Sequence, residues 1–122
     1  MKQETRKSTA LRPKIRILIG AVVAIGPGKA DLLEAIGRTG SISAAGREMG
    51  MSYRRAWMLV DAMNQAFKSP VVETLTGGQR GGGARLTTLG DQILSTYRHI
   101  ETRAGKAVSG DLVKFARLMR RS

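Results

Sequence analysis

The sequence predicts a mainly helical domain with one small β-hairpin. Apolar residues recur at helical spacing in several separate stretches, and a glycine-rich segment over residues 76–83 separates two short stretches rich in β-branched residues. The chain has 122 residues, of which 42% are hydrophobic and 25% charged. This composition is sufficient to bury a core, so we expect a single folded domain.

The first elements follow from local pattern. Residues 1–13 are polar and basic and are predicted to form a flexible arm. Residues 14–20 alternate between isoleucine and other side chains, which is the period of a half-buried strand. A turn at Pro27 leads into a helix over residues 29–38, whose large apolar side chains share one face and which is expected to end at Gly40.

Two further helices follow, joined by a tight turn. Ser41 or Ser43 can cap the first, over residues 44–49, and Ser52 is the natural N-cap of the second, over residues 53–67. The second helix is apolar on one face for four turns and basic at its start, away from that face. This arrangement is typical of a helix-turn-helix.

A β-hairpin is predicted after the second of these helices. Residues 71–75 and 84–87 have strand character, and the glycine-rich segment between them carries Arg80. Such a hairpin beside a helix-turn-helix is a wing, so the predicted fold is a winged helix-turn-helix. A long helix over residues 89–100 and an amphipathic stretch over residues 112–119 complete the chain.

The chain is accordingly divided into three segments. Residues 1–13 are the arm, residues 14–88 the DNA-binding domain, and residues 89–122 a dimerisation helix with a C-terminal amphipathic segment. The expected homodimer rests on an apolar stripe along the long helix, which a two-fold contact with a second copy would bury. The residues of this stripe are Leu89, Ile93, Tyr97 and Ile100.

Charge indicates a polyanionic partner. The chain carries 21 Lys and Arg against 9 Asp and Glu, a formal net charge of +12. Residues 21–50 are neutral, whereas arginines 54, 55, 80 and 85 surround a helix start and the glycine-rich segment. Charge alone leaves a solubilising surface open. A membrane surface is not expected, because no basic stretch lies on a helix with an opposing Trp, Phe and Leu face.

Several kinds of chemistry are excluded. The absence of cysteine and the single histidine, His99, leave no ligand set for zinc and no thiol nucleophile. The glycine-rich segment lacks the Lys-Ser/Thr ending of a phosphate-binding loop, so no nucleotide cofactor is expected. Asp61 and Glu73 are interpreted as surface charges rather than an acid–base pair. We therefore expect no catalytic activity, no bound metal and no cofactor. Because no membrane-spanning or secretory segment is recognised in the sequence, we expect a cytoplasmic location.

The candidate DNA contacts lie mainly at the start of the second helix of the helix-turn-helix. Arg54 and Arg55 follow its N-terminus, where free N–H groups favour anions. Tyr53 can donate to a phosphate or a base, with an ordinary surface position left open, and Trp57 is expected in the core. The full candidate set, in which Gln79 is included only because of a resemblance to a known family, is Ser41, Ser43, Ser52, Tyr53, Arg54, Arg55, Met58, Gln79 and Arg80.

Three motifs together resemble the N-terminal winged helix of molybdate-responsive ModE regulators, which is similar to LysR-type DNA-binding domains. They are SISAA at residues 41–45, SYRRAW at residues 52–57, and TGG…GGGA at residues 76–84. The resemblance covers about residues 14–100. It implies that a recognition helix enters the major groove, that the wing touches flanking backbone, and that the helix after the wing forms the dimer. The residues that take these roles by resemblance are Ser52 through Arg55, Gln79 and Arg80, and Leu89 through Ile100.

Full-length members of that family carry a C-terminal molybdate-binding domain, and this chain ends at Ser122, too soon to contain one. Molybdate sensing is therefore expected only through another chain or an unrecognised site. The expected function is that of a sequence-specific double-stranded DNA-binding transcriptional regulator, of molybdenum-related genes by resemblance alone. A nucleoid-associated architectural protein that binds DNA without sequence preference stays open as the alternative.

Overall fold

The computed structural model describes residues 11–76 and 83–120, and those residues form a winged helix-turn-helix. The predicted mainly helical class is confirmed. Most of the predicted arm, and Gln79 and Arg80 of the predicted wing, lie outside the described residues. The elements are β1 Ile17–Ile19, β2 Val22–Ile25, α1 Pro27–Thr39, α2 Ile42–Glu48, α3 Tyr53–Ala66, β3 Val72–Leu75, β4 Gly83–Leu86, α4 Thr88–Ala107 and α5 Ser109–Arg117.

The N-terminal region forms a hairpin, where a single strand over residues 14–20 was predicted. β1 and β2 pair antiparallel around a tight turn in which Gly20 has a φ of +64°, a conformation that favours glycine. Ile19 is exposed, and Ile25 at the end of β2 is buried instead. The prediction was wrong because a two-residue turn lies inside one continuous apolar run, where alternation does not reveal the reversal.

The core of the helix-turn-helix lies between α1 and α3. α1 buries Leu32, Leu33 and Ile36 completely, and it ends where the N–H of Gly40 (φ +73°) donates to the carbonyl of Ile36. The face of α3 that meets them is apolar, and α2 packs against both helices. α3 contributes Ala56, Val60 and Met63 to this core.

The wing is bonded to the helix-turn-helix at two points. The side-chain oxygen of Asn64, near the end of α3, accepts hydrogen bonds from the N–H groups of Val71 (2.8 Å) and Val72 (3.1 Å). At β4, the N–H of Ala84 donates to the carbonyl of Gly40 at 2.9 Å. These bonds fix the described base of the wing relative to α3.

α4 packs against the same core, and this corrects one residue of the predicted dimer stripe. Tyr97 is only 1% exposed, and its hydroxyl donates to the carbonyl of Ile15 at 2.5 Å, so its ring is covered by its own chain and does not reach a second copy. Leu89 and Ile93 also pack on this core, and part of each side chain remains exposed to solvent. An apolar stripe predicts burial, but it does not identify the surface that covers it.

Ion pairs fasten α4 to α1, whereas α5 is less covered. Arg98 donates to Asp31 at 2.8 Å and to Glu34 at 2.6 Å, and it also pairs with Glu101 on its own helix. α5 buries no side chain. Within the described ranges, no helix is long and apolar enough to span a membrane. The exposed apolar residues of α5 and the turn after it are Val113, Phe115, Leu118 and Met119.

Candidate nucleic-acid interface

The start of α3 is fixed by its cap. The hydroxyl oxygen of Ser52 accepts a hydrogen bond from the N–H of Arg55 at 3.1 Å, as predicted for an N-cap. Ser52, Tyr53, Arg54 and Arg55 are all exposed. Because the capping oxygen acts as an acceptor, the hydroxyl proton of Ser52 remains available to a phosphate.

The outer face of α3 carries three different chemistries. At 100° per residue, Arg54, Met58 and Asp61 lie along one line of the helix, opposite the buried face, and all three are exposed. A guanidinium can fork to guanine, a carboxylate can accept from the cytosine amino group, and an apolar side chain can contact the thymine methyl group. We call Arg54, Met58 and Asp61 the outer face of α3. Asp61 was interpreted as an ordinary surface charge, and it lies two turns after Arg54 on the same exposed face of α3.

A groove runs along one flank of α3, between this helix, the start of α2 and the described base of the wing. Its volume is about 380 Å³. The ring of Tyr53 meets Trp57 edge to face, with centroids 6.2 Å apart and an interplanar angle of 74°. Trp57 packs on the core, as predicted, and also lines this groove. We call it the serine–tyrosine groove after three of its lining residues, Ser41, Ser43 and Tyr53.

The two serines are held by local hydrogen bonds. The hydroxyl oxygen of Ser41 caps α2 by accepting from the N–H of Ala44 at 3.0 Å. The hydroxyl oxygen of Ser43 accepts from the guanidinium of Arg47 at 3.1 Å. Arg47 was not among the predicted site residues, although its spacing of four from Ser43 on one helix is a signal that could have found it. The start of α2 therefore offers hydroxyl donors with a cation beside them.

Two arginines of the predicted basic cluster have surroundings that the sequence did not reveal. Arg85 on β4 pairs with Glu73 on β3 at 2.5 Å, so part of its charge is neutralised within the wing. Arg55 lies on the flank of α3 opposite Tyr53, together with Leu59 and the N-terminal hairpin. The structure thus brings together Ser41, Ser43 and Tyr53 in one groove, places Arg54 and Met58 on the outer face, and separates Arg55 from both.

Comparison with known proteins places this geometry in a family. Residues 29–91, more than half of the chain, match the bacterial regulatory helix-turn-helix proteins of the lysR family. The chain belongs to the LysR family. The matched span runs from α1 to the start of α4 and so contains the whole helix-turn-helix and the wing.

The LysR-family chain is also similar to curated molybdenum-related proteins. The molybdenum-pterin-binding protein MopB of Rhodobacter capsulatus is 49% identical over 85 residues, which are 70% of this chain and 32% of MopB. The molybdenum transport protein ModE of Azotobacter vinelandii is 38% identical over 99 residues, 72% of this chain and 37% of that protein. The DNA-binding transcriptional dual regulator ModE of Escherichia coli K12 is 38% identical over 88 residues, 70% and 34% respectively. The chain spans about a third of the length of these relatives, and the predicted resemblance is confirmed.

Solved structures share the fold. The crystal structure of the CbnR_DBD-DNA complex superposes with a TM-score of 0.54 at 24% identity, covering 73% of this LysR-family chain and 94% of that chain. At this identity the likeness establishes the fold, and the winged helix-turn-helix is therefore confirmed independently of the family match.

Proposed function

We propose that this LysR-family chain binds double-stranded DNA in a sequence-specific manner and regulates the transcription of molybdenum-related genes in the cytoplasm. The observation that carries the proposal is the outer face of α3, where Arg54, Met58 and Asp61 lie exposed within the first three turns of a helix whose other face is buried in the core. The names of the relatives support the target class, since they refer to molybdenum transport, molybdenum–pterin binding and DNA-binding transcriptional regulation. No catalytic role and no cofactor are proposed.

In this proposal, recognition divides between bases and backbone. Arg54, Met58 and Asp61 face base edges in the major groove, where a well-placed bidentate pair contributes about 1–3 kcal/mol of discrimination. The serine–tyrosine groove faces one phosphate strand, and its hydroxyl groups fix the register of the protein on the duplex without reading sequence. Gln79 and Arg80 of the wing are proposed to contact flanking backbone.

Asp61 favours sequence-specific binding over the architectural alternative. A net charge of +12 suits both functions, because phosphate attraction is independent of sequence. A carboxylate on the helix face that approaches DNA is repelled by phosphates and therefore weakens a purely backbone-binding protein. The same carboxylate is useful to a helix that reads a base with an exposed amino group.

We also propose a homodimer whose contact surface lies nearer to the C-terminus than the stripe predicted from the sequence. Two copies would present two α3 helices to half-sites about one or two helical turns apart. Tyr97 is covered within the chain, so the partner surface is proposed to combine the exposed parts of Leu89, Ile93 and Ile100 with the apolar residues of α5. Any response to molybdate is proposed to reach this chain through another chain or through a site outside the interface described above.

The function is tested by selecting bound duplexes from a randomised double-stranded pool with the purified chain and sequencing them. We expect the pool to converge on an inverted repeat that binds about a thousandfold more tightly than a shuffled duplex of the same composition. A pool without a common motif, together with equal affinities for selected and shuffled duplexes, would overturn the proposal and establish the architectural alternative.

A further inference from the structure

A second groove flanks α3 on the side away from the wing. It lies between α3, the N-terminal hairpin and the start of α1, and its volume is about 650 Å³. Within residues 11–76 and 83–120, no carboxylate lines it and none of its cations pairs with an acidic side chain. We call it the basic groove, and its four cations are Lys14, Arg16, Lys29 and Arg55.

The cations of the basic groove are held by the fold. The aliphatic part of the Arg16 side chain packs against the backbone of Gly26, since a Cβ added to Gly26 would lie 3.2 Å from the Cγ of Arg16. The ammonium of Lys29 donates to the carbonyl of Val23 at 2.8 Å, which ties α1 to β2. The carbonyl of Ile15, between Lys14 and Arg16, accepts the hydroxyl of Tyr97. The backbone that carries three of the four charges is therefore anchored to the core.

The start of α1 adds to the positive potential of this groove. Its first turn contains no acidic residue, and its N-cap, Gly26, offers no side-chain acceptor to the free N–H groups. The positive end of the helix dipole therefore remains uncompensated next to Arg16 and Lys29.

The position of the basic groove points to its occupant. A helix in the major groove, which is about 12 Å wide, lies between two phosphate strands. α3 likewise lies between two grooves, since Tyr53 and Trp57 face the serine–tyrosine groove while Arg55 and Leu59 face the basic groove. The outer face of α3 runs between them. The two grooves thus match the two strands that border a major groove.

We propose that the basic groove binds the phosphates of the DNA strand that borders the major groove on the side opposite the wing. This inference rests on the proposed function. It assigns different roles to two neighbouring arginines: Arg54 reads a base, and Arg55 joins Lys14 and Arg16 on the backbone. The N-terminal hairpin is then part of the DNA-binding surface.

The test compares two double variants in the full chain. Lys14→Ala/Arg16→Ala removes one lysine and one arginine from the basic groove, and because both side chains are exposed we expect the fold to be retained. Lys68→Ala/Arg103→Ala is the matched control, because it removes the same two residue types from exposed positions beyond α3 and on α4. Fluorescence anisotropy over a salt series measures binding to the selected duplex and to a random-sequence duplex.

We expect the groove variant to bind both duplexes about tenfold more weakly at 0.1 M salt, with a salt slope lower by about two and an unchanged preference for the selected duplex. The control variant should match the wild type within about twofold. Equal behaviour of the two variants would overturn the inference while leaving the proposed function intact. A wild type that binds neither duplex would instead overturn the proposed function.

Two further measurements assign the ligand and the role of Arg55. Arg55→Ala should lower the affinity for both duplexes by the same factor. A loss of affinity confined to the selected duplex would overturn the assignment of Arg55 to the DNA backbone. Calorimetric titration with inorganic phosphate distinguishes a free anion from a duplex. Phosphate binding that is lost in Lys14→Ala/Arg16→Ala without any change in duplex affinity would also contradict the proposal.

Discussion

The hydroxyl of Tyr97 in α4 donates a 2.5 Å hydrogen bond to the backbone carbonyl of Ile15, which lies 82 positions earlier in the chain. This bond joins the segment before the N-terminal hairpin to the helix after the wing, so two ends of the described domain are fastened across its core. It also holds Lys14 and Arg16, the neighbours of Ile15, at the edge of the basic groove.

Tyr97→Phe should lower the free energy of unfolding by about 1 kcal/mol, because the ring stays buried while one hydrogen bond is lost. Urea denaturation followed by circular dichroism measures this difference. Tyr53→Phe is the control, since Tyr53 is 59% exposed and should be neutral. Equal losses in the two variants would show that the Tyr97 bond does not stabilise the fold.

The same tyrosine makes stability depend on alkaline pH. Burial raises the pKa of Tyr97 above its ordinary value of 10.0, because the core disfavours the phenolate. As the pH rises past 10, the unfolded chain loses this proton before the folded chain does, so the free energy of unfolding falls. The stability advantage of the wild type over Tyr97→Phe should therefore be constant below pH 10 and shrink as the pH rises above it. A difference that stays constant above pH 10 would contradict the raised pKa.

Two glycines of α4 should respond in opposite ways to alanine. An added Cβ at Gly90 would lie 2.1 Å from the carbonyl oxygen of Val71, so Gly90→Ala forces the base of the wing away from α4. This substitution should lower the free energy of unfolding by about 2 kcal/mol or more. At Gly105 nothing lies within 4 Å, and Gly105→Ala should stabilise by about 0.5–1 kcal/mol through helix propensity. Thermal melting checks both, and a Gly90→Ala variant as stable as the wild type would refute this packing.

Asp61→Asn should change selectivity more than fold. Removing the negative charge from the outer face of α3 is expected to raise affinity for a random duplex several-fold, since phosphates are no longer repelled. The preference for the selected duplex should fall by about fivefold to about a hundredfold, because an acceptor for a base amino group is weakened. Anisotropy titrations with the two duplexes measure this ratio, and an unaltered ratio would remove Asp61 from the interface.

Apolar α5 side chains are predicted to determine the oligomeric state. Phe115 is 59% exposed and Leu118 82% exposed, so Phe115→Glu/Leu118→Glu should place charges in the proposed contact and yield monomers in sedimentation experiments. Lys114→Glu/Arg117→Glu, on the same helix but outside that apolar set, is the control and should remain dimeric. Dimers in both variants would rule out α5 as part of the contact.

Sequence patterns predicted most of the fold because its signals are local. α1, α3 and the strands of the wing lie within one or two residues of the predicted bounds, since apolar periodicity, Gly40 and the cap Ser52 each act within a few positions. The second strand of the N-terminal hairpin was missed for the same reason. Its signal is a single glycine turn inside an apolar run, which local alternation does not separate.

Features that depend on distant neighbours could not be read in this way. The stripe containing Tyr97 shows that a helix face is buried, but whether its own core or a second copy covers it depends on packing. The basic groove joins Arg55 to Lys14, about forty positions away, through a hairpin whose course only the fold defines. The difference between Arg54 and Arg55 likewise appears once the flanks of α3 are known.

In the proposed function, α3 reads base sequence through its outer face. The most direct measurement is the ratio of affinities for the selected and shuffled duplexes, compared between the wild type and Arg54→Ala at one salt concentration. We predict a ratio of about a thousand for the wild type and a fall of about tenfold or more for Arg54→Ala, mainly through weaker binding of the selected duplex. A ratio that is the same in both proteins, with the affinities for both duplexes lowered by the same factor in Arg54→Ala, would contradict base reading by Arg54.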